Sequence, residues 1–377
     1  VPDNLKDPLL PRQSTRGGAV GRDKPPYRVP SMREIAMRRQ HGLTVVSLFS
    51  GCGGSCLGFR MAGYRVLWAN EFVEEARTTY EANKAPYTVV DPRDVRQIKP
   101  EEILAATKLR SGELDVLEGS PPCSAVSMVG SREAGWGQKK RYSIGVDKTE
   151  QRTDDLFFEF ARILRGLQPK TFVAENVWGL VKGAAKELFG EIYRELAGCG
   201  YVVNARLLDA QWLGVPQVRK RVIMVGVRND LGLQPVYPAA VQHRYSIADA
   251  LAGLEAVVPE EASIERYAIG SEWHKLRPGQ QSARYFQLIR PDRNLPCPTI
   301  TAAVGYGPSA SVCHPYEPRK FTPAELRRIC GFPDDFRLTG DFQQQCERLG
   351  RAVPPPMMHA IAEVLRDQVL RRHPAGV

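Results

Sequence analysis

From Thr44 onward, short apolar runs rich in β-branched residues alternate with amphipathic segments, a pattern that predicts an α/β fold on a mostly parallel sheet. The runs are Thr44–Phe49, Tyr64–Ala69, Tyr87–Val90, Leu114–Glu118, Thr171–Ala174, Tyr201–Asp209 and Arg221–Val227. Between them, Glu74–Asn83, Leu156–Leu167 and Ala185–Ala197 repeat apolar residues at spacings of three and four, which predicts helices with one buried face. Strands joined by crossover helices make a doubly wound sheet, whose ligands sit beyond the carboxyl ends of the strands.

The pattern weakens after Arg228. Residues 229–318, rich in Pro, Gly, Arg and Tyr, read as a second, smaller domain inserted into the first. Helical periodicity returns at Pro323–Cys330 and Pro356–Arg371, so residues 319–377 are expected to pack back and complete the main domain of 41–228. Residues 1–40 carry Pro, Gly and Arg with few apolar side chains, which predicts a flexible basic tail entering a short helix near Ser31–Gln40.

Charge adds a class of partner. Lys and Arg outnumber Asp and Glu by 52 to 42, an excess that suits a polyanion such as nucleic acid and equally a merely soluble basic protein. The cysteines, at 52, 56, 123, 199, 297, 313, 330 and 346, lack the paired short spacings of a zinc site and the density of a disulfide scaffold. A reduced intracellular compartment and no metal are the expectation. No apolar run approaches the roughly 20 residues that span a bilayer, and the N-terminus lacks the apolar stretch of a signal peptide, so no membrane association is expected.

At the predicted carboxyl ends, TVVSLFSGCGG (44–54) is a buried strand running into a glycine turn, where backbone amides can approach a ligand ahead of a helix N-terminus. Its glycine spacing does not fit the dinucleotide fingerprint. Glu71, after the second strand, can accept from both hydroxyls of a ribose, and Asp94, after the third, from an exocyclic amine of adenine. Each acid alone also suits a helix cap or a solvated face. At successive strand ends they suggest a nucleoside site.

Strand Leu114–Glu118 empties into GSPPCSAVS, where two prolines stiffen the chain before Cys123. A cysteine so placed suits a nucleophile, provided its surroundings favour the thiolate over a free thiol of pKa near ~8.5. The next strand ends in AENV, so Glu175 can face it, and a buried carboxyl of raised pKa can protonate a ring nitrogen. In QVRKRV, Gln217, Arg219 and Arg221 alternate, which sends all three to one face, where a guanidinium can stabilise charge developing on a carbonyl oxygen.

These blocks, FSGCGG, GSPPCS, AENV and QVRKR, continue in order with RKFTPAELRRICGFPDDF (319–336) and LGRAVPPPM (349–357). Together they resemble the DNA cytosine-5 methyltransferase family over about residues 44–228 and 319–371. The resemblance implies the Rossmann-like fold of S-adenosylmethionine-dependent methyltransferases and a double-stranded DNA substrate. It implies that Cys123 attacks carbon 6 of a flipped cytosine, that Glu175 protonates the ring edge, and that Arg219 and Arg221 orient base and nucleophile. Flipping is needed because the reacting carbon is inaccessible within the stack.

S-adenosylmethionine would lie over the turn Ser50, Gly51, Cys52, Gly53 and Gly54, with Phe49 stacked on adenine. Glu71 and Phe72 would take the ribose, Asp94 and Val95 the adenine edge, and Pro122 and Leu156 the wall. Arg351, Ala352 and Val353 would reach the donor end. The stretch 124–150 corresponds to a loop that closes over DNA, with Ser124, Ser127, Arg132, Lys139, Lys140 and Arg141 toward the duplex. Residues 229–318 stand where the family has its target-recognition domain. A monomer without an obligatory protein partner is expected, in bacterial or phage-infected cytoplasm and a restriction-modification setting.

Two positions depart from the family pattern. Ser124 follows the nucleophile where Gln is more usual, and Arg351 stands where the final motif usually has Asn. A guanidinium 4 Å from a sulfonium would cost about 4 kcal/mol even at an effective dielectric of about 20, so something should offset it. Either Arg351 turns toward the donor's amino-acid carboxylate or a DNA phosphate, or the donor is carboxy-S-adenosylmethionine and the group moved is carboxymethyl. A catalytically silent DNA-binding relative is the rival of another class, against which Cys123, Glu175, Arg219 and Arg221 together argue. An RNA cytosine methyltransferase is a third reading.

Overall fold

The computed structural model describes residues 24–122, 140–141, 150–151, 155–181, 185–306 and 312–372. The main sheet has seven strands: β1 (Thr44–Leu48), β2 (Arg65–Asn70), β3 (Val89–Asp91), β4 (Val116–Gly119), β5 (Thr171–Val177), β6 (Tyr201–Asp209) and β7 (Lys220–Arg228). Their order is β3-β2-β1-β4-β5-β7-β6; β1 to β5 pair in parallel, and β7 runs antiparallel to both its neighbours. The doubly wound, mostly parallel fold class is therefore the one observed. Strand order reverses between β1 and β4, which opens the crevice where such sheets bind ligands.

Helices cover both faces because strand residues alternate. Val46 and Leu48 of β1 pack with Leu117, Phe172 and Phe160 on one side, whereas Val45 packs with Val116, Val173 and Phe59 on the other. The chain-order helices are α1 (Met32–Met37), α2 (Gly54–Met61), α3 (Glu74–Glu81), α4 (Pro100–Thr107), α5 (Leu156–Leu167) and α6 (Lys186–Ala197). The remainder are α7 (Ile247–Leu251), α8 (Ala268–Trp273), α9 (Pro323–Ile329), α10 (Phe342–Arg351) and α11 (Pro355–Gln368). α5 buries Leu156, Phe157, Phe160, Ile163, Leu164 and Leu167, the face its periodicity predicts. Each such side chain contributes roughly 1.5–3 kcal/mol on burial.

The C-terminal return is held by close packing. α11 lies on α2, where a Cβ on Gly58 would stand 2.6 Å from Met358 Cβ, so only glycine lets the two helices approach. α10 turns Phe342, Cys346 and Leu349 toward the core beneath α9, and it also buries the charged Glu347 and Arg348.

Residues 24–37 are docked instead of forming a free tail. The Tyr27 hydroxyl donates to the Arg328 carbonyl at 2.7 Å, and α1 starts on a reciprocal Ser31–Glu34 cap. Within 229–318, Ile264, Ile269, Trp273, Leu276 and Leu288 share a small core with Cys313, while Ile247, Ile300 and Val304 join the core beneath α9 and α10. Among the described residues, no helix is long and apolar enough to cross a membrane.

Candidate active site

The turn after β1 is shaped by its backbone. Phe49, Gly51 and Gly53 adopt positive φ values of 55°, 55° and 94°, and the Ser50 amide donates to the Asn70 carbonyl at 3.0 Å. A side chain on Gly51 would meet nothing within 4 Å among the described residues, above a glycine whose conformation other residues rarely adopt. Glu71 reaches under this turn: its carboxylate accepts from the Gly51 amide at 2.6 Å and the Val73 amide at 2.9 Å. Burial pushes its pKa up, and those two amides, with Arg348 and Arg77 nearby, pull it back. Each oxygen keeps a lone pair for a further donor, as a ribose hydroxyl requires.

The other expected cofactor residues divide. Ser50, Cys52 and Val353 are buried, and the Cys52 thiol donates to the Arg348 carbonyl at 3.7 Å. Gly54 is pressed against the final motif, since a Cβ there would stand 2.1 Å from the Val353 carbonyl oxygen. Phe72, Pro122 and Ala352 are half-buried, and Val95 and Leu156 belong to the core beside partly buried Phe49. Asp94 is a helix cap: it accepts from the Arg96 amide at 3.0 Å and pairs with the Arg96 guanidinium at 3.0 Å.

At the catalytic edge, Glu175 is buried near the end of β5 and pairs with Arg221 Nε of β7 at 2.8 Å. The neighbouring Asn176 donates from Nδ2 to the Pro121 carbonyl at 2.8 Å, which ties β5 to the proline pair ahead of Cys123. Asn176 had no role in the sequence reading beyond its place in AENV; its adjacency to Glu175 at a strand end was the available signal. Cys123, Ser124, Ser127, Arg132 and Lys139 lie outside the described residues, as do the side chains of Lys140 and Arg141, whose backbone pairs with Glu150–Gln151.

Gln217 and Arg219 precede the strand that Arg221 enters, and they are engaged elsewhere. The Ile300 amide donates to Gln217 Oε1 at 3.2 Å, and Arg219 donates to the carbonyls of Ile300 at 2.9 Å and Gly350 at 3.0 Å. Burial, with Arg221 close by, depresses the Arg219 guanidinium. Arg221 meets Glu175, and Arg219, with Arg221 and Glu175 among its charged neighbours, also joins β7 to the chain around Ile300 and to the final motif.

Arg351 is held by a neighbour at the i, i+4 spacing of a helix. Its Nε pairs with Glu347 Oε1 at 2.8 Å, one turn back on α10, while Glu347 is fully buried and also meets Arg348 at 3.3 Å and the Tyr306 hydroxyl at 3.2 Å.

The sequence profile of C-5 cytosine-specific DNA methylases matches residues 43–275 and 260–367. The chain belongs to this family. It is accordingly a DNA methyltransferase enzyme that uses the family's S-adenosylmethionine fold. Among curated relatives, the type II methyltransferase M.NgoFVII of Neisseria gonorrhoeae is 32% identical over 82% of this chain and 83% of its own. M1.HphI of Haemophilus parahaemolyticus is 30% identical over 86% of both. Of solved structures, a prophage-encoded Escherichia coli protein described as a DNA modification methyltransferase aligns with a TM-score of 0.68 at 24% identity, over 86% of this chain and 99% of that one. The S. pombe Dnmt2 methyltransferase aligns at 0.60 with 16% identity, over 86% and 99%, and shares the fold of this methylase.

Proposed function

We propose that this methylase flips a cytosine out of duplex DNA, attacks it with Cys123 and methylates carbon 5 from S-adenosylmethionine. The observation that carries the reading is the Glu175–Arg221 pair at the carboxyl edge, beside the strand that leads to Cys123. The open glycine turn and the free lone pairs of Glu71 fit an adenosyl donor, which when bound supplies an electrophilic methyl group. Ser50 to Gly54, Glu71, Phe72 and Ala352–Val353 would hold it, with Phe49 and Pro122 at its sides. Val95 and Leu156 back that wall from the core, and Asp94 contributes through the short helix it caps.

The Cys123 thiolate adds to carbon 6, and Glu175 protonates ring nitrogen 3, so carbon 5 gains the electron pair of the former double bond. Arg221 keeps Glu175 oriented and offers positive charge to the cytosine carbonyl. Once carbon 5 carries the methyl group, a base takes its proton, the ring double bond re-forms as the Cys123 thiolate leaves, and the Glu175 carboxylate takes back the nitrogen 3 proton. Ser124, Ser127, Arg132, Lys139, Lys140 and Arg141 are assigned to the duplex, residues 229–318 to base readout. The enzyme works as a monomer, without an obligatory protein partner, inside a bacterial or phage-infected cell.

A second reading, carboxymethyl transfer from carboxy-S-adenosylmethionine, draws on Arg348 and Arg351. Arg348 meets the buried Glu347, and among the described residues its Nε has no hydrogen-bond partner, so a further carboxylate would be accommodated there. The Glu347 pairing favours the ordinary donor, because it supplies the offset that Arg351 requires beside a sulfonium.

The test is incubation with 5-fluorocytosine duplex and S-adenosylmethionine, where the missing carbon-5 proton traps the adduct. A stable protein–DNA complex is expected from the wild type and none from Cys123→Ser; its absence from both would sink the mechanism. Mass spectrometry of nucleosides from ordinary duplex and transfer RNA, with each donor, separates methyl from carboxymethyl and DNA from RNA.

A further inference from the structure

The reaction outlined above makes no use of Glu118, a buried carboxyl on β4. It lies opposite Ser47 of β1 in the parallel register, one residue before β4 ends. Groups from each neighbouring element face it. Ser47 donates to its Oε1, the Cys56 thiol of α2 donates to the same oxygen at 3.6 Å, and Ser55 of α2 adds a further hydrogen bond. Glu175 of β5 is the nearest like charge; Tyr80 of α3 stands behind Cys56, with Arg60 beyond. Among the described residues, no cation pairs with it. A buried carboxyl left without a counter-charge is costly to ionise, and such a group beside a ligand crevice is a candidate for a functional role.

Ser47 connects this carboxyl to the glycine turn, for its Oγ lies 2.7 Å from Ser50 Oγ. When Glu118 is ionised, Ser47 gives its one hydroxyl proton to the carboxylate. Ser50 must then supply the proton between the two serines and keeps only lone pairs for any other partner. When Glu118 is protonated, the chain can run the other way and leave Ser50 as a donor.

We propose that Glu118, acting through Ser47 and Ser50, is a positioning residue that tunes the turn to prefer a cationic sulfonium over the neutral thioether left after transfer. The inference rests on the reading of this turn as the S-adenosylmethionine site. Transfer removes one positive charge from the ligand, so a fixed anion beside the turn holds the donor more tightly than the product. Burial pushes the Glu118 carboxyl up to about 7, against the hydrogen bonds of Ser47 and Cys56 and with the help of Glu175, so the preference changes near neutral pH.

The experiment is calorimetric binding of S-adenosylmethionine and S-adenosylhomocysteine to the full chain near pH ~6 and ~8, for the wild type and Glu118→Gln. The sulfonium alters the titration of the ligand's own amino group, but that effect is common to both proteins, so the change with pH is read as the difference between the wild type and Glu118→Gln. The wild-type preference for the sulfonium should grow roughly tenfold between the two pH values, the size expected for unit charges about 10 Å apart at an effective dielectric of about 20. Glu118→Gln should show only the change that the ligands' own titration gives. A flat wild-type ratio, or an equal change in the variant, overturns the assignment and directs attention to Glu71 or Glu175. Failure of both ligands to bind the wild type overturns the donor reading itself, an outcome distinct from binding with a flat ratio. Should the variant not fold, proton release in the wild type decides: near pH ~7, S-adenosylmethionine should release more protons than S-adenosylhomocysteine, and equal release refutes the role.

Discussion

Asn176 Nδ2 donates to the Pro121 carbonyl at 2.8 Å, so the strand that presents Glu175 also grips the loop leading to Cys123. On the proposed mechanism this contact references the acid to the chain that leads to the nucleophile, and small displacements of reacting groups are costly in rate. Asn176→Ala should lower kcat by about 10- to 100-fold while the fold loses only about 1–3 kcal/mol, the range for an abandoned buried partner. Single-turnover kinetics and denaturant unfolding would check this; a rate loss no larger than the stability loss explains would count against it.

Glu347 is the anion that two arginines share, and its removal leaves both cations in place. Glu347→Ala should destabilise the protein by about 3–5 kcal/mol, as expected for breaking a buried pair from one side. Arg351→Asn should cost less, because Arg351 is one-third exposed and Arg348 still meets Glu347. Urea midpoints at constant slope would rank the two variants. The reverse order would show that Arg348 alone does not hold the buried carboxylate.

The final motif closes on the glycine turn through contacts that exclude a side chain. Gly54→Ala would bring a Cβ to 2.1 Å from the Val353 carbonyl oxygen, and Gly350→Ala to 2.2 Å from that of Thr301. Backbone is hit in both cases, so neither clash can be relieved by a rotamer change. Overpacking of this kind typically costs about 1–3 kcal/mol. Donor affinity, read by calorimetry, should fall by at least about tenfold in Gly54→Ala and less in Gly350→Ala, which is farther along the chain from the turn.

Glu118 should make the folded state less stable as pH rises. Its folded pKa of about 7 lies above the ordinary 4.5, so the native state retains a proton that the unfolded chain has already lost. Stability therefore falls between about pH 4.5 and 7 and is lowest above 7 from this group, by roughly 3 kcal/mol at full ionisation. Glu118→Gln should remove that slope and melt higher than the wild type near pH ~8. A pH-stability profile unchanged by the substitution would assign the slope to other buried acids, with Glu71 the first to examine.

Much of the architecture followed from local pattern alone. Strand β6 and helix α5 have the predicted bounds, and the two late helices return to the main body as their periodicity required. Glycines at 51 and 53 marked the turn because positive φ is nearly their own territory, and Glu71 at a strand end lies beneath it. α10 has only a sparse apolar stripe, Phe342, Cys346 and Leu349, and no apolar pattern marks the burial of its Glu347 and Arg348.

The sequence by itself determined which chemistry-bearing residues the chain has and which strand ends carry them, since strand alternation and turn-forming residues act over a few positions. Tertiary structure alone decided their partners. Arg219 donates to Ile300 and Gly350, Gln217 accepts from Ile300, and Glu118 accepts from Ser47 and Cys56. Those assignments depend on hydrogen bonds and charges brought together across the fold, and no local period records where a distant carbonyl or carboxylate will come to rest.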